Sequence, residues 1–223
     1  MRHDATVTTS PEHQRAVDLA TTANAAGDPT WFERLYAEAD RGAAAVPWDH
    51  DEVNPRLANR ISEPGTGRAL VVGCGYGRDA NHLRGLGYDV TAFDLSATAI
   101  DHARKRYPDV DFTVADVLDA PAEWTGAFDL VVEAYTIQVL RGPDRATAIR
   151  AIAGFVAPGG RALVISFAAH PDDDPPRIAL AVTAEELDGF VAAGLTAGHV
   201  DLRPPSELEP PARWFYVADF SRR

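Results

Sequence analysis

From Arg68 onward, short apolar runs alternate with amphipathic segments in a regular order. The apolar runs are nearly continuous and rich in β-branched residues, which is typical of strands buried on both faces of a parallel sheet. The segments between them carry apolar residues at the period of a helix. The pattern predicts strands at 68–73, 88–93, 110–114, 128–133 and 161–167, and helices at 77–86, 96–106 and 144–155. Strict alternation of this kind predicts a doubly wound α/β sheet with right-handed crossovers.

The last part of the chain departs from this alternation. A helix is predicted at about 183–193, followed by strands at 195–202 and 213–220 with a proline-rich connection between them. Because no helix separates these two strands, they are expected to pair antiparallel. The predicted fold is therefore a mostly parallel, seven-stranded, Rossmann-like sheet that ends in an antiparallel strand. Stretches rich in turn-forming residues predict a turn at 158–160 and a surface loop at 170–176.

Residues 1–65 precede the first strand and are too short to form a domain of their own. A helix is predicted over 11–26 with Ser10 as its N-cap, and a short amphipathic helix follows it. This leader is expected to cover the ligand-binding edge of the sheet as a helical cap. We therefore predict a single domain, 1–223, whose Rossmann-like core spans 66–223.

Composition and charge restrict the classes of partner. The 223 residues carry a formal net charge of −12 at pH 7, so a nucleic-acid backbone would be repelled. The start of the chain lacks the apolar core of a signal peptide, and no segment reaches membrane-spanning length. Cys74 is the only cysteine, so no internal disulfide can form and a cytoplasmic location is expected. No cluster of histidines and carboxylates predicts a metal site, and the oligomeric state is left open.

The first predicted strand ends in three glycines at alternate positions, Gly73, Gly75 and Gly77, and a helix follows. Glycine permits positive φ angles and a close approach of the backbone to a ligand, at a point where helix amides are exposed. The second strand ends in Asp94, whose carboxylate can accept hydrogen bonds from a ribose diol. These features predict a nucleoside-bearing cofactor at the carboxyl edge of the sheet. The alternative is a tight glycine-rich turn that binds nothing.

The residue at the third small position of the dinucleotide fingerprint distinguishes between two kinds of cofactor. The dinucleotide fingerprint needs a small residue where this chain has Arg78. A G-x-G-x-G loop followed by a ribose-binding acid resembles instead the class I S-adenosylmethionine-dependent methyltransferases. The resemblance runs from about Arg68 to the end of the chain and is closest to the group around thiopurine and thiol methyltransferases. That group favours Gly-Cys-Gly-x-Gly-x-Asp, as at Gly73 to Asp79. Its leader motifs are matched here by Phe32, Tyr36, Pro47, Trp48, Asp49, Asn54, Pro55 and Leu57.

This resemblance implies a methyltransferase fold with S-adenosylmethionine as cofactor. Asp94 would bind the ribose hydroxyls, Asp116 the adenine amine, and Trp48 would close over the cofactor. The full set of predicted cofactor contacts is Trp48, Gly73, Cys74, Gly75, Gly77, Asp79, Asp94, Leu95, Asp116, Val117 and Glu133.

Several of these residues have simpler alternative roles. Asp79 can cap helix amides or reach the ammonium group of the cofactor. Cys74 can be a reactive thiol or a small buried side chain. Asp94 can serve as a helix N-cap, although Ser96 supplies a better one, and Asp116 can be a solvated loop residue.

The methyl acceptor is expected at the end of the fourth strand, where the methyl group should point. The predicted catalytic residues are Tyr135 and His170, and the predicted substrate-binding residues are Trp31, Tyr36, Tyr135 and Gln138. Tyr135 can instead pack in the core, and the leader aromatics can be a hydrophobic latch. His50 and His170 can remove a proton or be ordinary exposed loop residues.

Methyl transfer requires mainly alignment and exclusion of water. A thiol ionises near neutral pH and needs little help from a base, and no His–Asp pair adjoins a motif. We therefore predict an enzyme that methylates a small molecule, with the sulfur of a thiol or thione as the first acceptor. The alternative is N- or O-methylation of a small aromatic or natural-product substrate. Two other classes are a nicotinamide-dependent oxidoreductase and a non-catalytic adenosylmethionine-binding module.

Overall fold

The computed structural model describes residues 10–26, 28, 30–172, 179–205 and 213–223. The chain divides into two compact units, Met1–Asp49 and His50–Arg223. Part of the loop expected at 170–176 lies outside the described residues, and its start is an irregular turn. None of the helices in the described ranges is long and apolar enough to cross a membrane.

The first unit contains the two predicted leader helices, α1 (Pro11–Ala26) and α2 (Trp31–Asp40). Ser10 caps α1 as predicted, because its hydroxyl oxygen accepts a backbone N–H of the first turn at 3.2 Å. The guanidinium of Arg15 on α1 donates two hydrogen bonds, of 2.7 and 2.8 Å, to the Glu38 carboxylate on α2. This paired contact joins the two helices.

The second unit is built on a seven-stranded sheet in the order β3-β2-β1-β4-β5-β7-β6. The strands are β1 (Arg68–Val72), β2 (Asp89–Asp94), β3 (Asp111–Val114), β4 (Phe128–Ala134), β5 (Val156–Phe167), β6 (Thr196–Arg203) and β7 (Phe215–Ser221). Strands β1 to β5 pair in parallel, whereas β7 pairs antiparallel with both β5 and β6. The predicted mostly parallel, seven-stranded sheet with an antiparallel end is confirmed.

Six helices accompany the strands in the described part of this unit. They are α3 (Pro55–Arg60), α4 (Arg78–Gly85), α5 (Ala97–Arg106), α6 (Gly142–Phe155), α7 (Ala184–Leu187) and α8 (Gly189–Ala192). The single helix predicted at 183–193 is wrong in one respect, because it breaks at Asp188 into α7 and α8. Gly189 begins α8 where a Cβ would lie only 3.2 Å from Ile149 on α6. Glycine therefore fits where the two helices approach closely, although glycine disfavours the interior of a helix.

Strand β5 begins earlier than predicted and contains the expected turn residues at 158–160. Its pairing with β4 shifts between Phe128–Val156 and Leu130–Arg161, so the intervening residues form a bulge. Gly159 has a φ of 80° within this bulge. The turn-forming residues at 158–160 are therefore correctly identified. They do not end the strand, because the bulge accommodates them within β5.

Apolar side chains cover both faces of the sheet and explain its nearly continuous apolar strands. In β1, Leu70 and Val72 enter one core with α6, whereas Ala69 and Val71 enter a second core with α3, α4 and α5. All four side chains are buried. Burial on both faces fixes the strand ends, and therefore the residues that follow them, at one edge of the sheet.

Candidate functional site

The glycine loop connects β1 to α4 at the carboxyl edge of the sheet. Gly73, Gly75 and Gly77 have positive φ angles of 61°, 52° and 84°. A Cβ on Gly73 would collide with the Thr136 hydroxyl, and one on Gly77 would lie 2.5 Å from the Phe112 ring. These two positions require glycine for conformation and for packing. The loop forms the tight strand-to-helix turn that the sequence predicts.

Asp94 ends β2 beside this loop and is only 9% exposed. Its two carboxylate oxygens accept the N–H groups of Gly75 and Ser96, each at 2.9 Å. Helix α5 is capped by Ser96, whose hydroxyl oxygen accepts the Ala99 N–H at 3.0 Å. A carboxylate accepts up to about four hydrogen bonds, so Asp94 can hold the loop and also bind a ribose diol.

A mixed polar and apolar surface follows at the ends of β2 and β3, which are neighbours in the sheet. The Asp116 carboxylate caps the 3₁₀ turn Val117–Asp119 by accepting one of its backbone N–H groups at 2.9 Å. Leu95 is an apolar side chain that is 36% exposed, whereas Val117 is buried. An apolar surface next to a carboxylate suits a flat base that carries an exocyclic amine.

Asp79, in the first turn of α4, connects this helix to α3. One of its carboxylate oxygens accepts the Asn54 N–H at 2.9 Å, and the Asn54 side chain in turn caps α3. Burial raises the pKa of the Asp79 carboxyl above its usual range. This bond to Asn54 is a third role that the sequence did not suggest, and the expected contact of Asp79 with the ammonium group of the cofactor stays a prediction.

Cys74 lies within the glycine loop and extends the pairing of β1 with β2. Its N–H donates to the Phe93 carbonyl at 2.8 Å. Burial raises the pKa of the Cys74 thiol well above its usual value, and the nearby Asp94 charge adds to the shift. A thiol with a raised pKa is mostly protonated near neutral pH and is a poor nucleophile. These observations favour the small buried side chain over the reactive thiol.

Glu133 is the last residue but one of β4 and is fully buried. One carboxylate oxygen accepts the N–H groups of Thr136 and Ile137 at 2.7 and 3.0 Å, and the other has no hydrogen-bond partner among the described residues. Burial raises the pKa of Glu133 to about 7. The Thr136 hydroxyl donates to the Val72 carbonyl at 3.2 Å, which ties the end of β4 to the glycine loop. Glu133 therefore shapes the turn after β4.

Tyr135 has a φ of 68° and is the one non-glycine residue with a positive φ in the described ranges. Its N–H donates to the Ile165 carbonyl at 2.9 Å, and its phenol oxygen lies 3.5 Å from Arg56 Nη1. Burial raises the pKa of the Tyr135 phenol. Strained backbone of this kind persists where surrounding contacts hold it, and it concentrates at functional sites.

Five rings from three segments of the chain lie near the ends of β4 and β5 and the start of β7, as a group of three and a separate stacked pair. They are Tyr135, Phe167, His170, Trp214 and Phe215, and are called the edge rings below. Tyr135 lies 5.7 Å from Phe167 and 6.1 Å from Phe215, measured between ring centroids. His170 and Trp214 stack at 3.7 Å with an angle of 14° between their planes. The Arg56 guanidinium lies 3.5 Å above Phe215.

The two other predicted residues at this end make structural contacts. His170 Nδ1 accepts the Asp172 N–H at 3.2 Å, so the hydrogen bond assigns the proton of the neutral ring to Nε2. Gln138 is buried, and its side-chain oxygen accepts the Phe167 N–H at 2.8 Å. The Gln138 carbonyl also accepts the Leu180 N–H at 2.7 Å. Gln138 thereby fixes the end of β5.

Comparison with known proteins identifies the family. Residues 69–160 match the family model described as a methyltransferase domain. The ubiquinone biosynthesis O-methyltransferase of Xanthomonas campestris pv. campestris (strain B100) is 33% identical over 199 residues, which cover 82% of this chain and 79% of that protein. This chain belongs to the class I S-adenosylmethionine-dependent methyltransferases. It is therefore an enzyme with S-adenosylmethionine as cofactor.

Solved structures similar to this methyltransferase agree with that assignment. One was determined in a study titled "Conversion of a Disulfide Bond into a Thioacetal Group during Echinomycin Biosynthesis". It has a TM-score of 0.68 at 26% identity and covers 86% of this chain and 91% of its own. A TehB-like methyltransferase from Corynebacterium glutamicum has a TM-score of 0.62 at 26% identity, with coverage of 86% and 98%.

The predicted leader residues of the methyltransferase lie in its first unit and pack on one another. Trp31 and Tyr36 are buried, and Trp48 Nε1 donates to the Tyr36 hydroxyl at 2.9 Å. The rings of Trp31 and Trp48 meet edge to face at 6.0 Å. Their expected contacts with cofactor and substrate stay predictions. His50, the other histidine considered as a base, is an exposed residue at the start of the second unit.

Sequence analysis missed several residues that lie beside Tyr135 at this end of the sheet. Phe167, Phe215 and Arg56 come from three distant segments, and none belongs to a motif. The available signal was their position, since Phe167 ends one predicted strand and Trp214 and Phe215 begin another. No group of three or more metal-ligating side chains that could hold an ion occurs in the part of the chain that the structure describes.

Proposed function

We propose that this methyltransferase acts on a small molecule whose nucleophile is already ionised near neutral pH, with the sulfur of a thiol or thione as first candidate. The proposal rests on the side chains near the ends of β4 and β5 that could act as a general base. Among the described residues there, burial raises the pKa of Tyr135, and the Nδ1 lone pair of His170 is occupied. Neither of these two groups is prepared to remove a proton from the acceptor, and Glu133, whose pKa is raised to about 7, is fully buried. An acceptor that ionises by itself fits such a site.

The cofactor edge is compatible with the nucleoside and amino-acid parts of S-adenosylmethionine. When bound, this cofactor supplies an activated methyl group on a sulfonium sulfur. We infer that Asp94 binds the ribose diol, that Asp116 accepts from the adenine amine, and that Leu95 covers the ring. The glycine loop, whose three glycines have positive φ angles, then holds the amino-acid tail with its backbone. We infer that Cys74, Asp79, Val117 and Glu133 complete the set of residues around the cofactor.

The protein's part in the reaction is alignment. Tyr135 and the other edge rings would orient the acceptor so that its lone pair points at the methyl carbon, opposite the carbon–sulfur bond that breaks. The acceptor proton is lost to water before this step, since the nucleophile enters as an anion. Trp48, Trp31 and Tyr36 of the leader are proposed to exclude water from the aligned pair.

Two lines of similarity bear on the acceptor atom. The Gly-Cys-Gly-x-Gly-x-Asp loop and the Pro47-Trp48-Asp49 leader resemble thiopurine and thiol methyltransferases, and the structural relative from echinomycin biosynthesis concerns disulfide chemistry. Both support sulfur. The relative that is 33% identical is named an O-methyltransferase, which supports oxygen as the second candidate.

Phenol and thiophenol form a matched pair for deciding between the two atoms. The full chain is incubated with S-adenosylmethionine and either compound, and products are identified by mass. We expect methylation of thiophenol and little or none of phenol. Methylation of phenol alone would establish the O-methyltransferase alternative. Binding of adenosylhomocysteine without turnover of any thiol, phenol or heteroaromatic amine would indicate a non-catalytic binding module.

The location and partner of the enzyme are part of the same proposal. A cytoplasmic setting suits a chain whose single cysteine cannot form an internal disulfide. The net charge of −12 supports a small molecule rather than a nucleic acid as substrate. Analysis of subcellular fractions with an antibody against the chain would test the location.

A further inference from the structure

The hydroxyl of Tyr135 lies where the end of β4 meets the starts of α3 and α4. Its oxygen accepts a hydrogen bond from Arg56 Nη1 at 3.5 Å, and the side chain of Asn54 is a second partner. Asn54 is itself fixed, because its N–H donates to the Asp79 carboxylate at 2.9 Å. The charge of Asp79 also acts on the phenol. The hydroxyl is therefore close to the first turn of α4, directly after the glycine loop.

These contacts determine which hydrogen bond the Tyr135 hydroxyl can still make. A phenol donates one hydrogen bond and accepts others through its lone pairs, whereas a guanidinium can only donate. The Asn54 side-chain oxygen already accepts the Arg56 N–H at 3.0 Å, so its amide nitrogen is the group that is left to donate to the phenol. Within the described ranges, no group accepts a hydrogen bond from the hydroxyl of Tyr135. The O–H is therefore prepared to donate to a ligand.

We propose that the Tyr135 hydroxyl donates a hydrogen bond to the anionic nucleophile of the methyl acceptor and so selects the ionised acceptor over its neutral form. The inference rests on the proposed methyltransferase function and assigns the catalytic part of Tyr135. A hydrogen bond to a charged atom is stronger than one to a neutral atom, so the anion gains more from this donor. The adjacent Arg56 guanidinium favours the same charge.

The hydrogen bond is compatible with methyl transfer. One lone pair of the nucleophile accepts from Tyr135 while another attacks the methyl carbon, and the bond from that carbon to the sulfonium sulfur breaks. Tyr135 keeps its proton throughout, since burial raises the pKa of its phenol. After transfer the acceptor atom is neutral, so its hydrogen bond to Tyr135 weakens and release of the product is favoured.

The ring that carries the hydroxyl is fixed before any acceptor arrives. The backbone of Tyr135 has a φ of 68°, and its N–H donates to the Ile165 carbonyl at 2.9 Å. Its ring packs on Phe167 and Phe215, with centroids 5.7 and 6.1 Å away. A donor that is already in position needs little reorganisation when charge has to be stabilised.

Two coloured probes, 4-nitrophenol and 4-nitrothiophenol, report ionisation directly because their anions absorb visible light more strongly than their neutral forms. The full chain, saturated with adenosylhomocysteine and in excess over the probe, is titrated with base, and the absorbance gives the pKa of the bound probe. We expect this pKa to lie about 1–2 pH units below that of the same probe in water, because a hydrogen bond to a charged group favours the anion. The measurement needs no turnover.

Two tyrosine variants connect the lowered pKa to one hydroxyl. Tyr135→Phe removes the O–H and keeps the ring, so the pKa of the bound probe should rise by about 1–2 pH units. Adenosylhomocysteine should still bind to this variant, which shows that its fold is retained. Tyr216→Phe is the matched control, since Tyr216 is a buried tyrosine whose ring belongs to the core with α6, on the other face of the sheet. It should keep the lowered pKa.

The outcomes distinguish this inference from the proposed function. A protein that binds adenosylhomocysteine overturns the inference if it binds neither probe or leaves the pKa of the bound probes at the value in water, and the methyltransferase proposal then stands. A lowered pKa that survives Tyr135→Phe, or an equal rise in Tyr216→Phe, also overturns the inference. Failure to bind adenosylhomocysteine at all would contradict the proposed function itself.

Discussion

Asp94 joins two backbone segments of the cofactor edge through a single carboxylate. Replacing Asp94 with alanine removes the acceptor of the Gly75 and Ser96 N–H groups together with the proposed ribose contact. We expect the affinity for adenosylhomocysteine to fall about tenfold or more, because a hydrogen bond to a charged group contributes about 1.5–3 kcal/mol. Isothermal titration calorimetry would measure the affinity of both proteins for adenosylhomocysteine.

Asp89 provides the matched control, since it is an exposed aspartate at the other end of β2. Asp89→Ala should keep the original affinity. If Asp94→Ala and the unchanged protein bound adenosylhomocysteine equally well, Asp94 would not be a cofactor-binding residue.

Glu133 makes the stability of the fold depend on pH. Its carboxyl has a pKa of about 7 in the folded protein, against an ordinary value of 4.5. Between these values the folded state retains a proton that the unfolded chain releases, so stability falls as the pH rises through this window. Glu133→Gln carries no titrating group, so relative to the unchanged protein it should gain up to about 3 kcal/mol of unfolding free energy from about pH 5 to about pH 8.

Urea unfolding of both proteins at several pH values would measure this difference. The comparison is made without cofactor, so that only the buried carboxyl changes. A constant difference across the pH range would mean that Glu133 titrates at its ordinary value.

At the scale of elements, the hydrogen bond from the Asn54 N–H to the Asp79 carboxylate joins the start of α3 to α4. Asp79→Ala leaves that N–H without its acceptor and should reduce the unfolding free energy by about 1–3 kcal/mol. Asp79→Asn keeps a side-chain oxygen in place and is expected to lose less. Chemical denaturation monitored by circular dichroism would compare the two. Equal losses in both variants would show that the hydrogen bond contributes nothing.

The central strands β1, β4 and β5 were predictable because most of their residues are buried, which gives nearly continuous apolar runs. The apolar run of β1 ends within one residue of its predicted end, and Ser96 marks the start of α5 as expected. The pattern predicts a helix at 183–193 but does not show that it is interrupted at Asp188. Local pattern therefore predicts the kind of element better than its exact bounds.

At the scale of the whole molecule, binding of the cofactor product should stabilise the fold. A ligand that binds only the folded state at about a hundredfold over its dissociation constant adds about 2.7 kcal/mol. We expect adenosylhomocysteine to raise the thermal midpoint and a nicotinamide dinucleotide to leave it unchanged. Thermal-shift measurements with both ligands would check this, and the opposite order would favour an oxidoreductase.

The two halves of the site differ in how far the sequence reveals them. Gly73, Gly75 and Asp94 directly follow or end apolar runs, so their meeting at one edge follows from strand order. Phe167 and Phe215 meet because β7 inserts between β5 and β6 and pairs with β5, an arrangement that no local pattern encodes. The positive φ of Tyr135 was equally hidden, since tyrosine gives no sign of left-handed backbone.

Strand β7 runs against its neighbours, so its first residue, Phe215, lies beside Phe167 at the last residue of β5. The final segment of the gene therefore contributes to the same edge as codons far upstream. Mutations in this segment can alter the side chains beside Phe167 without altering the glycine loop or Asp94. Because different parts of the gene encode the two sides, substitutions could change the substrate of the enzyme while its cofactor stays the same.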